Sequence, residues 1–536
     1  MVDIHDRDHR QEGLMKLLFT ILSDLGYPVS DNIQQYYTDI HLWEDWWRGY
    51  VPDFHNYWIR DAQDNGAQVK RKQMRMAKKL CEDWANLLLN DKTRILIECG
   101  EHDTNRTQKW LTGDTDEQNG GILGKTGFWV KGNKAVEREF AQGTVCFYWQ
   151  LTGATEQGGE LAGEGLELKV IKDAQMIVPL TYDDEDITDV ALASNYTQDG
   201  QEHLYVQIFK KMNDNEEYII ANHFYRVNRG GGYEEVPGPH GEVESYVLPC
   251  KPFVIMKPNI ENNIADVPLG ASIYANAIDN LQLCDLSYDN MFMDTLLGKK
   301  RVFMDQAAVQ LKPKTYAKDE NGQDRVVQQE PDIGATLEKS LYVTTGEALP
   351  GDPKFFNEYN PSLRVDENKE NVQFNLNLLS AKVGLGQNRY QFNQANMTTA
   401  TQVKASNKDL TESVWKQRIA IQEALKDLTR AALILGREKL HQPLDVDARI
   451  TIQFDDTMFA DEEAERMRFM QEIAAGIRQK WEYRVKYDGE DEETARKMTG
   501  ETAAAQQQTL AGQFNPGDQT GANSGPNGAN SGGVDD

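Results

Sequence analysis

The longest uninterrupted helical pattern in the sequence runs from about Thr399 to Leu435. Val403, Leu410, Val414, Ile421, Leu425, Leu428 and Leu435 recur at spacings of seven, four and three, which places them on one helix face. At ~1.5 Å per residue these 37 positions give roughly 55 Å. That exceeds the span of a small domain, so the pattern predicts a helix that bridges regions. A second long pattern, about Gly270 to Gly298, carries Ile273, Ala277, Leu281, Cys284, Tyr288 and Met291 at steps of four and three. Such spacing suits a helix packed in a bundle or beside copies of itself.

Other segments read as shorter elements around these two. Leu14, Leu17, Leu18, Ile21, Leu22 and Leu25 predict a helix stopped by Gly26 and Pro28. Ser30-Asp31 caps a second, carrying Ile33, Tyr36, Tyr37, Ile40, Trp43, Trp46 and Trp47, and a third is expected over Val69–Asn90. Lys70, Arg71, Lys72, Lys78 and Lys79 cluster near the start of the third, against the macrodipole, so acidic partners are expected for them. From 93 to 230 the texture is β, with Arg94–Glu98, Val145–Trp149, Leu166–Val170, Tyr205–Phe209 and Tyr218–Ala221 as strands. Asp199-Gly200 and Asn213-Asp214-Asn215 mark turns, and 106–143 is polar and Gly-rich with weak helical signal. Residues 228–268 read as a connection, 300–365 as strand and loop with a hairpin at Asn321-Gly322, and Glu367–Val383 as a helix. Gly384 to Gln391 is a polar break, either an ordinary connection or a mobile loop, because Gly384 and Gly386 permit both. Arg449–Phe454 alternates as a strand, Asp461 caps a helix to about Ala475, and the Gln/Asn/Gly/Ser-rich end reads as a disordered tail.

Composition then narrows the function classes. The 536 residues suggest two to four folding units, and 39% hydrophobic content is enough for buried cores. No apolar run approaches eighteen residues, so no transmembrane span is expected. The charged start, Met1 to Arg7, lacks an apolar signal region, which argues against secretion. Asp and Glu outnumber Lys and Arg by 85 to 57, a net charge of -28. A protein that coats nucleic acid needs the opposite excess. Cys81, Cys99, Cys146, Cys250 and Cys284 form no CxxC pair, and no HExxH or GxSxG occurs. No catalytic residue, metal site or cofactor is expected.

Four local signals each have a plainer reading. Asn119-Gly120-Gly121-Ile122-Leu123-Gly124-Lys125-Thr126 nearly matches a phosphate-binding loop, in which Lys125 would reach phosphate and Thr126 would hold magnesium. Asn119 replaces the first glycine and no hydrophobic strand precedes it, so it reads as an ordinary Gly-rich loop. Asp183-Asp184-Glu185-Asp186, and Asp285 with Asp289, read as solvated acidic faces rather than metal ligands. Trp43, Trp46 and Trp47 read as core or interface rather than base-stacking residues. Lys299, Lys300 and Arg301 either compensate a helix C-terminus or, repeated around one channel, contact phosphate.

The order of elements, with five segments in sequence, resembles the portal (head–tail connector) proteins of tailed double-stranded-DNA bacteriophages, in the branch infecting mainly Gram-positive hosts. Those segments are Trp47-Arg48-Gly49 with Phe54-His55-Tyr57, Met76 to Leu88, Pro268 to Asp279, Thr399-Ala400-Thr401-Gln402-Val403, and Phe454-Asp455-Asp456 with Asp461. The match covers about 30–505. The family more often has Glu at the position of Gln402, and 106–143 matches poorly.

The resemblance implies an α+β multidomain portal fold. Its parts would be a wing of helices and mixed sheet (1–268 and 399–456), two stem helices (269–299 and 366–383), and a small α/β clip (300–365). A tunnel loop (384–398), a helical crown (457–510) and a disordered tail (511–536) would complete it. It further implies a non-enzymatic homo-oligomeric ring, usually of twelve subunits, at one capsid vertex of the virion, assembled in the host cytoplasm. Genomic double-stranded DNA would be packaged and ejected through the ring. The expected partners are terminase, then the head–tail adaptor, with major capsid and scaffolding proteins, and no membrane. An acidic conduit lets DNA slide, since each phosphate–cation pair adds grip. The scarce cations are therefore expected at the axis, with Lys299, Lys300 and Arg301 as a ring at the stem–clip junction, and Gln387, Asn388 and Arg389 are expected to touch the DNA from the tunnel loop. The alternatives are a capsid-associated structural protein without a channel, and a packaging ATPase using 119–126.

Overall fold

Backbone donors near residue 70 show how tertiary contacts override local helix signal. The computed structural model describes residues 4–499 except 61–65, 99–103, 114–117, 119, 154, 158–159, 213–215, 229–231, 239–243, 306–310, 319–322, 332–341, 346–355, 393–399 and 456–461. It begins with α1 (Ile4–Asp24), α2 (Asp31–Arg48), α3 (Pro52–His55), a β1–β2 hairpin (Asn56–Arg60 and Gly66–Lys70) and α4 (Met76–Leu88). The Ser30 hydroxyl accepts from Ile33 N–H and opens α2. The helix expected over Val69–Asn90 is shorter because residues 71–75 form a strap. The strap spends its Lys72 and Met74 N–H groups on the Asp289 and Asp285 carboxylates, at 2.9 and 2.7 Å. Arg75 stands in the left-handed region, φ 58°, which an α-helix cannot include.

Among the described residues, acidic partners stand beside the two later lysines. Lys78 pairs with Glu82 and Glu137, and Lys79 with Asp83. The earlier cations instead lie over rings: Lys70 over Tyr50, Arg71 over Phe54 and Tyr57, Lys72 over Phe292. Trp43 and Trp46 are buried. Trp47 donates to Glu137 and lies under Arg138.

Next come β3 (Arg94–Glu98), α5 (Thr104–Thr112), α6 (Gly121–Lys125) and α7 (Phe128–Gln142). Much of 106–143 is thus helical, more than its sequence suggests. Gly124, Gly127 and Gly132 dilute the local propensity. Gly132 is there for packing: a Cβ would stand 2.9 Å from Leu89 Cδ2. On α7, Phe128, Ala135, Val136 and Phe140 are fully buried, and Phe140 stacks on Trp84 of α4 at 5.3 Å. Glu44, buried on α2, accepts from Arg48, Arg138 and Gln142. Burial would push it up, but the two guanidiniums hold its carboxyl below the ordinary range.

The β region holds β4 (Val145–Thr152), β5 (Thr155–Gln157), β6 (Glu160–Ala162), β7 (Gly165–Ile171), β8 (Ile177–Asp183), β9 (Asp186–Gln198) and β10 (Gln201–Lys211). β11 (Tyr218–Val227), β12 (Tyr233–Glu235), β13 (Ser245–Leu248) and β14 (Phe253–Met256) follow. One sheet runs β12-β11-β10-β9-β8 with β13 also on β11; a second runs β14-β4-β7. Asp199 and Gly200, both at positive φ, make the two-residue turn from β9 to β10. Gly143, φ 82°, meets Gly270 back to back: a Cβ on either would stand 2.0–2.2 Å from the other's carbonyl oxygen.

α8 (Ile278–Leu297) starts later than Gly270 because the preceding polar groups are committed to the core. Gly270 N–H donates to Thr144, Ser272 Oγ to Phe140 O, and Tyr274 OH to Trp43 O. After α8 come β15 (Arg301–Asp305), β16 (Leu311–Lys318), β17 (Asp324–Pro331), β18 (Tyr342–Thr345) and β19 (Phe356–Tyr359). β15 pairs parallel with β18 and antiparallel with β19, and β16 pairs with β17 as a hairpin. Among the described residues of 301–359 every regular element is a strand; no helix supplies the α part of the expected α/β module there.

α9 (Val365–Lys382) runs antiparallel to α8, as Asn368 bonds Asp294 and Asn375 bonds Ser287. α10 (Ala400–Glu438) has 39 residues, roughly 58 Å at 1.5 Å each. It lies along β4 and β14, where Leu428 O accepts from Trp149 Nε1, and β20 (Arg449–Gln453) pairs with β3. These elements belong to one compact unit, Met1–Asp455.

The second unit, Asp456–Asp536, contains α11 (Glu462–Ala474), α12 (Lys480–Tyr487) and a last helical stretch, 492–499. Phe469 packs with Tyr483 and Tyr487 under Arg478. The chain is mixed α+β, with several small sheets and no barrel among the described residues. No described helix is long and apolar enough to cross a membrane. The turns at 213–215 and 321–322, Cys99, the Asp461 cap, and the 511–536 tail lie outside the described residues.

Candidate functional site

The six residues expected at a channel fall into two clusters. Lys299 and Lys300 are exposed just beyond the α8 cap, Gly298, whose N–H donates to Asp294 O. Lys300 pairs with Glu358 of β19 at 2.7 Å, and Arg301 opens β15 opposite Tyr359. Gln387, Asn388 and Arg389 follow the other end of α9. That helix has 18 residues, so roughly 27 Å of axis separates the clusters.

The described part of the second cluster, 384–392, is tied down at both sides; residues 393–398 of the expected tunnel loop lie outside the described residues. Gly384 and Gly386 take φ of 80° and 77°, reversing the chain after α9. Ser380 Oγ donates to Gly386 O at 2.5 Å. Gln373 donates to Tyr390 O and accepts from Phe392 N–H, at 2.9 and 3.0 Å. From the other side Tyr390 OH donates to Asp83 Oδ2 at 2.7 Å, and Arg389 approaches Asp83 Oδ1 at 3.7 Å. Lys79 holds the same oxygen at 2.6 Å. Burial, then the Asp83 carboxylate, push the Tyr390 phenol up, so it stays a proton donor. Gln387 is exposed, whereas Asn388 and Arg389 are half-buried.

Asp83 was not singled out from the sequence, though one signal exists. It interrupts the apolar face of α4 between Leu80, Trp84 and Leu87 and is buried, so it requires partners. Lys79 is one turn away on the same helix, but Tyr390 comes from 307 residues along the chain, beyond any local motif.

The α8–α9 pair leaves large apolar side chains in solvent. Leu283, Phe292, Leu296 and Leu297 on α8 are 41–52% exposed, and Val365, Phe374 and Leu378 on α9 43–66%. Phe374 and Phe392 line a groove of about 620 Å³ with Asp366, Lys369, Gln373 and Gln391.

The two acidic groups resolve differently: Asp183-Asp184-Glu185-Asp186 is a solvated turn, as expected, whereas Asp285 and Asp289 are not a solvated face. Asp285 and Asp289 are buried, one turn apart on α8. Asp285 Oδ2 lies 3.0 Å from Nε2 of the fully buried His55, and its other oxygen takes Met74 N–H. The pair therefore fastens the 71–75 strap to α8. Asp183 and Asp186 close the β8–β9 turn, and Glu185 pairs with Lys257. No group of three or more His, Cys, Asp or Glu able to hold a metal occurs among the described residues. At the Gly-rich loop, Thr126 spends its hydroxyl on Leu123 O, and a Cβ at Gly121 would meet Leu111 backbone at 2.5 Å. That packing is structural; Asn119 lies outside the described residues.

No protein-family model matches the chain, and no curated protein sequence matches it.

Proposed function

We propose that the protein is a portal subunit of a tailed double-stranded-DNA phage, forming a ring at one capsid vertex through which the genome enters and leaves. The observation that carries this reading is the α8–α9 pair. It bears exposed apolar side chains on both helices, Leu283, Phe292 and Leu296 on one and Phe374 and Leu378 on the other. A closed ring needs two different faces on each subunit, because its contacts are head-to-tail. Two helices that each present their own apolar side chains supply such faces. In this reading the pair is the stem, 301–359 with the strands β15–β19 the clip, the remainder of 1–455 the wing and tunnel segment, and the second unit the crown.

The channel function follows from charge. At -28 per chain, a ring repels a duplex along most of its wall, and the DNA slides rather than sticks. Lys299 and Lys300 are exposed and would guide it from one end of the stem, with Arg389 acting at the other. The clip would dock terminase during packaging and the head–tail adaptor afterwards, with no chemistry performed by this chain.

Negative-stain images of the purified protein test the reading. Rings with an axial hole are expected; particles that stay monomeric at micromolar concentration would refute it. In a packaging assay, Lys299→Ala with Lys300→Ala should lower the amount of DNA retained, and unchanged filling would remove the guiding role.

A further inference from the structure

We infer that Asp83 is the positioning residue of the 384–392 segment: it latches the segment onto α4 and holds the charge of Arg389 until DNA displaces it. The part concerning DNA rests on the portal reading; the latch itself does not. Two donors and one further cation converge on this one buried carboxylate. Lys79 comes from its own helix at 2.6 Å, Tyr390 at 2.7 Å and Arg389 at 3.7 Å. Gln373 grips the same segment from α9, through Tyr390 O and Phe392 N–H. Beyond Leu385, which is buried at the root of the segment, residues 387–392 are clamped between two helices by polar bonds, and Phe392 at the end is 55% exposed.

A clamp made of a few polar bonds opens more readily than a packed core, because each bond is worth little net of water. Opening leaves Asp83 with Lys79, so its charge stays compensated. It also frees Arg389, the only cation among residues 383–392. A phosphate and Asp83 then compete for one guanidinium, and the duplex holds Arg389 only by winning it from α4. The exchange costs little in either direction, which suits a wall that must touch DNA repeatedly without gripping it.

Trypsin cleavage after Arg389 in the purified full chain reads the latch directly. Tyr390→Phe should raise that rate about tenfold, with cleavage after exposed Lys300 and the global urea midpoint unchanged. Gln373→Ala, on the half-exposed side of the clamp, should raise it as well, and serves if Tyr390→Phe fails to fold. Wild-type cleavage rates in the folded variants would overturn the latch. For the exchange, Asp83→Asn should bind a 30-base-pair duplex at low salt roughly threefold more tightly. The gain should vanish when Arg389→Ala is added. Equal affinity of Asp83→Asn and wild type would overturn the exchange. Absence of rings with both effects present would fell the portal reading alone.

Discussion

The α4–α7 packing and the α8–α9 pair are both helix contacts of one chain, yet they treat apolar surface in opposite ways. Between α4 and α7, Trp84 stacks on Phe140, and Leu80, Cys81, Ala135 and Val136 are fully covered. The α8–α9 pair buries Leu281, Cys284, Val372 and Leu376 but is also joined by side-chain hydrogen bonds. Asn375 bonds Ser287, Asp294 bonds Asn368 and Arg364, and the large side chains Phe292, Phe374 and Leu378 face out. The first interface is finished within the subunit. The second adds specific hydrogen bonds and leaves several large hydrophobic side chains exposed, the surface that the proposed ring would cover.

Substitutions should separate the two regions. Trp84→Ala should cost about 3–5 kcal/mol by urea unfolding, because its ring is buried on every side; a cost near zero would mean the α4–α7 interface is not the core. Asp285→Ala sits at the junction of the two regions. It strands His55 Nε2 and Met74 N–H, and should cost roughly 2–4 kcal/mol by the same assay, given ~1–3 for each buried group left unpaired.

The α4–α7 side also carries a pH signature. Glu139 is buried, one of its oxygens has no partner, and burial pushes its carboxyl up to about 8. Its unfolded value is about 4.3, so the folded state prefers the protonated form. The stability tied to that proton is complete below about pH 4.3 and is lost as pH rises through about 8. Between pH 5 and pH 8 the wild-type Tm should therefore fall, by about 1 °C per kcal/mol of penalty for a unit as large as Met1–Asp455. Glu139→Gln should flatten the profile, and an unchanged slope in parallel melts would refute it. Least of all in subunit stability, Phe374→Ser with Leu378→Ser should shift the urea midpoint by less than about 0.5 kcal/mol. The same pair should abolish higher assemblies in sedimentation velocity. A large loss of monomer stability instead would make the α9 face core.

What could be read in advance was whatever one element declares by itself. The α10 stripe from Val403 to Leu435 and the alternation of β9–β11 are local periodicities, and the chain follows them. The 71–75 strap departs from its helical pattern because the Lys72 and Met74 N–H groups are captured by Asp289 and Asp285, more than 200 residues away. In α7, a glycine that looks like a helix breaker is an accommodation for Leu89. The candidate site divides in the same way. Exposed Lys299 and Lys300 are visible as a charge run, whereas Asp83, which decides where Arg389 rests, gains its meaning only from the returning segment.

The contact between Gly143 and Gly270 has a genetic consequence. Each position forbids a β-carbon because the other's backbone already fills the space, and neither residue can be made smaller. Alanine at either place therefore has no compensating change across the contact. A saturation scan should return two blank columns far apart in sequence, and a hunt for revertants should recover only true reversion to glycine. The chain enters α8 through a passage where selection has no second solution to offer.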